Sequence, residues 1–447
     1  MSTAQEPRWL SRGLRPFAEV RVGEALTALL LTLNVFLLLS AYYVIKPVRE
    51  ALILELASGA EYKAYMSGAI AVALFVLVPA YGRLVDRLPR VKLVILVTLG
   101  FAAQLVLFFL ATQVDALKSE LGLVFYVWVG IFNMMVVAQF WAFANDLYDE
   151  ERGGRLFPMV ALGASVGAAV GSKFSALLIP LFGVAPMLLV AAALLVTCAA
   201  LFWLVERREA DAVRVHPGIR ASPTTSAGAF ELVLEHRYLL LVALFSLVFS
   251  WVNTNGEYML GKLIKASAVA AVARGEITSE AQGSFIGAAY GEFFFYVNVS
   301  SVLLQSFVVS RLVKRLGFKV AFLLMPAIAL TNALTVAILP ALAVLRIGKT
   351  IENAADYSLN NTLRQMLWLV TSSEMKFKAK QAIDAFFVRL GDVSSAFSVW
   401  LLASVLALPV QYFAWLSVAL IMVWLALALM IGRENGRLHA QQAGAAA

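Results

Sequence analysis

The sequence predicts an all-α membrane protein in which twelve transmembrane helices form two pseudo-symmetric six-helix bundles. Of the 447 residues, 61% are hydrophobic and only 14% are charged, and the mean hydropathy is +0.83. A soluble domain averages about 45–50% apolar and about 25% charged residues. Apolar segments of roughly 20 residues, the length that crosses a bilayer, recur along the whole chain. We therefore predict an integral membrane protein with the lipid bilayer as a partner.

Twelve apolar segments are separated by polar connections, and we predict one helix for each. The first six are residues 25–48, 64–84, 92–112, 122–144, 156–181 and 184–205. The second six are residues 238–260, 285–310, 319–339, 342–366, 382–406 and 409–431. The connection at 206–237 is rich in Pro, Gly, Ser and Thr, so we predict a cytoplasmic linker between bundles at 25–205 and 238–431. Residues 1–24 and 432–447 then form a cytoplasmic N-terminal segment and a cytoplasmic tail.

The distribution of basic residues predicts the orientation of these helices. Clusters of Lys and Arg join spans two and three, eight and nine, and ten and eleven. Because such residues concentrate in cytoplasmic loops, we expect both termini in the cytoplasm and the protein in the inner membrane. This role accounts for the net charge of +8 without nucleic acid. The first 24 residues carry four arginines but no short apolar core, so a cleaved signal peptide is not expected.

A short repeat relates the two predicted bundles. Arg-Leu-Val-Asp-Arg-Leu at residues 83–88 returns as Arg-Leu-Val-Lys-Arg-Leu at 311–316, and Gly163 matches Gly391 at the same offset of 228 residues (311 − 83 and 391 − 163). Two six-helix halves in a parallel repeat are the layout of major-facilitator transporters. The segment 82–90 also resembles the loop signature of that superfamily between spans two and three. The resemblance implies a conformational latch formed by Gly82, Asp86, Arg87 and Arg90.

Polar residues concentrate on the first, fourth, seventh and tenth spans, which line the central cavity in the major-facilitator fold. Charges at membrane depth cost at least about 2.5–3.5 kcal/mol each on insertion scales, so they persist where they face a cavity or a partner. On span ten, polar residues from Arg346 to Arg364 recur at steps of three or four and share one stripe. The candidate substrate-binding residues are Tyr42, Lys46, Arg49, Asn145, Lys349, Asp356 and Arg364.

Several of these candidates also have a structural interpretation, and the sequence leaves both interpretations open. Lys46 and Arg49 could extend to lipid headgroups, or Arg49 could pair with the neighbouring Glu50. Lys349 and Asp356 could form a self-satisfied buried pair.

Three further features have structural alternatives. Arg364 could serve only the positive-inside bias, and Tyr42 could be an interfacial anchor. Gly163, Gly167 and Gly171 are spaced by four residues, which predicts a close helix-packing face rather than a phosphate loop.

The sequence carries no recognisable signature of catalysis, cofactor binding or metal binding. Cys198 is the only cysteine and lies in an apolar run, while the three histidines fall in polar connections without ligand spacing. Gly348-Lys349-Thr350 lies in a predicted span and lacks the first glycine of a P-loop. We therefore expect no enzymatic activity, no cofactor and no metal, but a monomeric carrier driven by gradients or exchange.

The block from Tyr357 to Asp384, with Arg364 and Glu374-x-Lys376-x-Lys378-x-Lys380, resembles the corresponding block of the ATP/ADP translocases of plastids and obligate intracellular bacteria. Residues 140–145, Phe-Trp-Ala-Phe-Ala-Asn, resemble that family's fourth span, and residues 46–50, Lys-Pro-Val-Arg-Glu, resemble the end of its first. The resemblance implies a small-molecule substrate and nucleotide exchange, with Arg49 and Arg364 at basic positions that neutralise phosphates.

The sequence departs from that family at Pro47 and at Asn360-Asn361, where acidic residues are usual, so another phosphorylated anion is an alternative substrate. A proton-coupled permease is a further alternative and would use Asp356, Glu257 and Glu292 as protonation sites. A membrane scaffold without transport is the last alternative.

Overall fold

A computed structural model of the chain describes residues 20–21, 23–85, 89–148, 150–209, 226–372, 375 and 379–446. Within these residues every regular element is helical, and no strand occurs. The predicted all-α class is therefore confirmed.

Six long helices occupy the first half of the chain. They are α1 Ala25–Glu55, α2 Gly59–Val85, α3 Arg90–Thr112, α4 Lys118–Leu147, α5 Glu150–Phe182 and α6 Pro186–Glu209. Their mostly apolar sequences explain their length, because a bilayer offers no other partner for backbone N–H and C=O groups.

The second half contains more helical elements, several of which are short. They are α7 Ser226–Glu235, α8 Arg237–Ala273, α9 Gln282–Leu303, α10 Ser310–Ile338, α11 Leu342–Ala355, α12 Asn361–Met366, α13 Lys380–Ala382, α14 Val388–Val399 and α15 Val410–Ala446. Segments of π-helix lie at Leu304–Val309, Asp356–Asn360, Ile383–Phe387 and Trp400–Val405. Helix α8 runs thirteen residues beyond the predicted end at 260, since Ala is a strong helix former and dominates residues 266–273.

Nine helical stretches in the described part of the chain are long and apolar enough to cross a membrane. One of them, Ser279–Ile338, has 60 residues. At 1.5 Å per residue it is about 90 Å long, enough for two crossings of a core of about 30 Å. Gly317 has a positive φ of 71° and breaks the run between predicted spans eight and nine. Neither α2 nor α11, which has only 14 residues, is among the nine. The chain is an integral membrane protein.

The chain divides into two compact units. The first comprises Met1–Leu56, Val72–Ile219 and Thr278–Phe295, and the second comprises Ala57–Ala71, Arg220–Ile277 and Tyr296–Ala447. The start of α2 thus belongs to the second unit, and the start of α9 belongs to the first. The bundle boundaries derived from the sequence stay a prediction.

In the first unit, α5 packs against α1 through the glycine face. A Cβ atom at Gly163 would meet Thr32, one at Gly167 would overlap the carbonyl of Phe36, and one at Gly171 would overlap the backbone of Ser40. The prediction that these glycines form a close helix-packing face is confirmed.

The second unit contains a similar close helix–helix contact at a glycine. Gly391 on α14 contacts α8 so closely that a Cβ would overlap the carbonyl of Leu247. Gly391 is the residue that the sequence repeat matches to Gly163, and each of the two glycines lies against the first long helix of its own unit. The packing therefore agrees with the repeat.

Glu24, the residue before α1, is held by two arginines of α5. Arg155 Nη1 lies 3.0 Å and Arg152 Nε lies 3.1 Å from the carboxylate. Burial alone would raise the pKa of Glu24, but the hydrogen bonds from Arg155 and Arg152 lower it from 4.5 to about 2. The start of α1 is thus fixed to α5 by a charged contact as well as by glycines.

Because the folded-state pKa of Glu24 is depressed, its contribution to stability is present above about pH 4.5 and is lost as the pH falls towards about 2. We expect the thermal unfolding temperature of the solubilised protein to fall across this window. Glu24→Gln should be less stable at neutral pH and should lose part of this pH dependence. Glu151→Gln is the control, since Glu151 is 65% exposed and its bridge to Arg21 is worth little. Identical pH profiles for the two variants would contradict the prediction.

Candidate functional site

Pro47 interrupts the hydrogen-bond ladder of α1 beside the predicted substrate cations. Proline has no N–H, so the carbonyl of Tyr43, four residues earlier, loses its helical donor. The hydroxyl of Ser175 on α5 lies 3.2 Å from this carbonyl and shares its single proton between it and the Gly171 carbonyl of α5 at 3.1 Å. The glycine face of α5 allows the approach that this contact needs. The contact between α1 and α5 thus positions the turn that carries Lys46 and Arg49.

Arg49 is almost buried against a carboxylate and an aromatic ring. Its Nε donates to Glu50 Oε1 at 3.0 Å, and its Nη2 donates to the same oxygen. Its guanidinium carbon lies 4.4 Å from the ring centroid of Tyr126 on α4, a cation–π distance. The Glu50 side chain is 0% exposed, and a carboxylate so buried requires such a partner. The pairing of Arg49 with Glu50, which the sequence left open, is present.

Lys46 lies among aromatic rings. Its Nζ is 3.9 Å from the ring centroid of Phe294 on α9, 5.3 Å from that of Tyr43 and 5.9 Å from that of Tyr42. Tyr42 in turn stacks on Phe132 of α4, with ring centroids 6.4 Å apart. Tyr42 and Tyr43 are both buried. The Tyr42 ring therefore lies inside the protein, in contact with Lys46 and Phe132.

These contacts define a first-unit cluster that joins cations to aromatic rings. Its members are Tyr42, Tyr43, Lys46, Arg49, Glu50, Tyr126, Phe132 and Phe294. Two cations and one carboxylate give these side chains a net charge of +1. Ammonium and guanidinium groups hold phosphate or carboxylate oxygens, and aromatic faces hold planar rings or further cations. The chemistry suits an anion that carries a planar ring.

In the second unit, Lys349 on α11 is completely buried. Its Nζ lies 3.0 Å from Glu352 Oε1 and 3.0 Å from Asn253 Oδ1 on α8. Asn332 Nδ2 donates to the other Glu352 oxygen at 2.9 Å. Gly256 makes room for the lysine, since a Cβ there would lie 3.1 Å from Nζ. Lys349 therefore pairs with Glu352, and the alternative in which it pairs with Asp356 is wrong.

Asp356 and Arg364 have other partners. Asp356 begins the π-helical segment after α11 and accepts a hydrogen bond of 2.7 Å from Asn360. Arg364 Nη2 lies 3.0 Å from Asp384 Oδ1, and its guanidinium carbon is 5.7 Å from the Phe249 ring centroid. Arg364 is one-quarter exposed. It is thus paired, but accessible.

Lys63, which the sequence analysis did not single out, joins the same unit. Its Nζ lies 3.4 Å from Glu257 Oε2 on α8, and Asn353 Nδ2 donates to Glu257 Oε1 at 3.1 Å. Lys63, Lys349 and Arg364 therefore each have a carboxylate within 3.4 Å. The charges of these cations are balanced inside the unit.

The remaining candidates lie elsewhere. Asn145 is exposed near the end of α4. Gly82 lies in α2 and Arg90 begins α3, but Asp86 and Arg87 fall outside the described residues. The conformational latch therefore stays a prediction. In the described part of the chain, no group of three His, Cys, Asp or Glu residues is arranged to hold a metal ion.

Sequence reasoning missed Phe294 and Tyr126 because ring contacts between distant helices leave no local pattern. The run Phe293-Phe294-Phe295 on an otherwise mixed helix was the available signal. Glu352 stood in the polar stripe of span ten, three residues from Lys349, and that spacing was the available signal for their pairing.

Apolar helices that enclose buried, paired charges define an integral membrane protein with a polar interior, the general design of a transporter. The sequence profile of the Major Facilitator Superfamily matches residues 26–345, more than half of the chain. The chain belongs to the Major Facilitator Superfamily, a family of membrane transporters.

Two relatives are similar over part of the sequence. ADP,ATP carrier protein 4 of Rickettsia felis is 23% identical over 309 residues, which cover 59% of this chain and 57% of the relative. ADP,ATP carrier protein 1 of Chlamydia trachomatis serovar D is 22% identical over 355 residues, which cover 69% of this chain and 64% of the relative. The chain thus spans less than two thirds of these relatives. The resemblance to ATP/ADP translocases is therefore confirmed as a distant similarity in sequence.

Solved structures share the fold. The nucleoside transporter NupG superposes with a TM-score of 0.62 at 12% identity, covering 92% of this chain and 99% of that chain. A bacterial homologue of the iron transporter ferroportin gives a TM-score of 0.64 at 12% identity, covering 91% of this chain and 98% of that chain. At this identity the likeness shows the fold alone.

Proposed function

We propose that this protein is a secondary active transporter that exchanges nucleotides, as an ATP:ADP-type antiporter, by alternating access. The observation that carries the proposal is the first-unit cluster, in which Lys46 and Arg49 lie one helical turn apart against four aromatic rings. An arginine fork suits bidentate phosphate contacts, and a polyphosphate needs more than one cation. Similarity to ADP,ATP carriers supports the same substrate class.

Within this proposal, Arg49 and Lys46 are the phosphate-binding cations of the first unit, and the partly exposed Arg364 is the phosphate-binding cation of the second. Tyr42 packs against the base or ribose. Lys349 and Asp356 shape the second unit through their own partners, and Asn145 lies towards one end of the pathway.

The proposed topology completes this function. Twelve helices in two six-helix bundles cross the inner membrane with both termini in the cytoplasm, and the working unit is a monomer without cofactor. The 60-residue stretch Ser279–Ile338 provides two of the crossings, and helix α2 and the polar span at 342–366 provide two more.

The test is uptake by liposomes that contain the purified full-length protein. Vesicles loaded with ADP should accumulate labelled ATP, whereas empty vesicles should not, because exchange requires an internal partner. A panel of nucleoside mono-, di- and triphosphates and sugar phosphates then defines the substrate. Failure of every phosphorylated compound in both loaded and empty vesicles would reject the proposal.

A proton-coupled permease for another anionic metabolite is the second candidate. Glu257 supports it, since this carboxylate is partly exposed and its bridge to Lys63 spans 3.4 Å. Such a permease would accumulate substrate in unloaded vesicles under a pH gradient. A scaffold without transport would neither accumulate nor exchange any compound and would gain no thermal stability from nucleotides.

A further inference from the structure

A cavity of 730 Å³ lies within the second unit, and its lining contains none of the candidate substrate-binding residues. Alanines form much of its wall: Ala266, Ala270 and Ala273 come from α8, and Ala403 comes from the π-helical segment at 400–405. Val269, another lining residue, is 49% exposed. The cavity is thus an open, largely apolar recess.

One side of this recess is charged. Lys262 donates to the carboxylate of Glu61 and to the Tyr258 hydroxyl at 3.2 Å. Lys265 donates to the carbonyl of Ala57 at 2.7 Å. Two lysines and one glutamate give the lining a net charge of +1. An ammonium group has three N–H donors, so each lysine can keep its present partner and also bind an anion.

The depth of the recess in the membrane follows from α8. Between Arg237 and Lys262, Glu257 is the single residue with a charged side chain. These 25 residue steps span about 38 Å of helix. A bilayer has a hydrocarbon core of about 30 Å and a total thickness of about 40–45 Å. With Arg237 at one surface, Lys262 and Lys265 therefore lie at the depth of the opposite headgroups.

We propose that this cavity binds the headgroup of an anionic phospholipid. Lys262 and Lys265 contact the phosphate, and the alanine wall receives the glycerol and the first methylene groups. The arrangement matches the charge, the depth and the amphipathic character of such a lipid, whereas a soluble anion would gain nothing from an apolar wall at this depth.

The test is native mass spectrometry of the full-length protein in detergent, titrated with phosphatidylglycerol or with phosphatidylcholine. We expect the wild-type protein to bind phosphatidylglycerol about five-fold or more tightly, since one lysine near a membrane surface contributes roughly 1 kcal/mol. Lys265→Gln should lose most of this preference. Ala270→Leu should weaken the binding of both lipids, because the larger side chain fills part of the cavity.

Arg274→Gln is the matched control, because Arg274 lies further along the chain, pairs with Glu276 and does not line the cavity. Equal losses in Lys265→Gln and Arg274→Gln would show diffuse surface attraction and overturn the proposal, as would equal binding of the two lipids. Glycerol 3-phosphate is the second arm. Competition at concentrations similar to the lipid would assign the cavity to a free phosphate and reject the lipid. Thermal unfolding of each variant shows that it is folded.

Discussion

Replacing Arg49 by glutamine is expected to lower nucleotide exchange by about 100-fold. The change removes the guanidinium that we assign to substrate phosphates, and hydrogen bonds to charged groups contribute roughly 1.5–3 kcal/mol each. It also leaves Glu50 buried without its arginine, which by itself destabilises proteins by about 3–5 kcal/mol. The single variant therefore confounds loss of substrate binding with loss of folding.

The double variant Arg49→Gln with Glu50→Gln separates the two effects. It removes both charges together, so it should unfold near the wild-type temperature while exchange stays lost. Glu50→Gln alone keeps the guanidinium and should retain measurable exchange. Uptake by reconstituted vesicles and thermal unfolding in detergent measure the two properties. A double variant that is folded and exchanges nucleotides at the wild-type rate would remove Arg49 from the site.

The second large effect is expected at Gly167. Its Cβ position overlaps the carbonyl of Phe36, which belongs to the backbone and cannot rotate away. Gly167→Ala should therefore force α5 away from α1 and destabilise the protein by about 1–3 kcal/mol or more, as overpacking does. The same displacement would lengthen the contact between Ser175 and the Tyr43 carbonyl, so exchange should fall as well.

Gly154→Ala on the same helix is the control. A Cβ at Gly154 meets nothing within 4 Å, and alanine is the better helix former by about 1 kcal/mol. This variant should be as stable as the wild-type protein or slightly more stable. Thermal unfolding in one detergent measures both variants, and equal unfolding temperatures would contradict the close-packing interpretation.

The sequence predicted well what depends on a local repeat. Apolar runs located the long helices, and the four-residue spacing of Gly163, Gly167 and Gly171 located the contact between α5 and α1. These patterns are local because helix periodicity places such residues on one face whatever the rest of the chain does.

Partner choice among charged residues was less predictable. Asp356 lies seven residues from Lys349, about 10 Å along the helix axis, whereas Glu352 lies three residues away, about 4.5 Å. The distance that the Lys349 side chain can span therefore selects Glu352, and this distance can be estimated from the sequence alone. The bridge between Lys63 and Glu257 could not be derived in this way, since it depends on how two distant helices pack.

The structure of α1 has one more consequence. Pro47 cannot donate a hydrogen bond to the carbonyl of Tyr43. The hydroxyl of Ser175 on α5 contacts that carbonyl instead. A helix bends most readily where its ladder is cut. Lys46 lies within the interrupted turn and Arg49 lies just after it, so a bend of α1 at this point would change how the two cations are placed. The length of anion that these two cations can span is therefore set by the backbone of α1 and its neighbour, rather than by the two side chains alone.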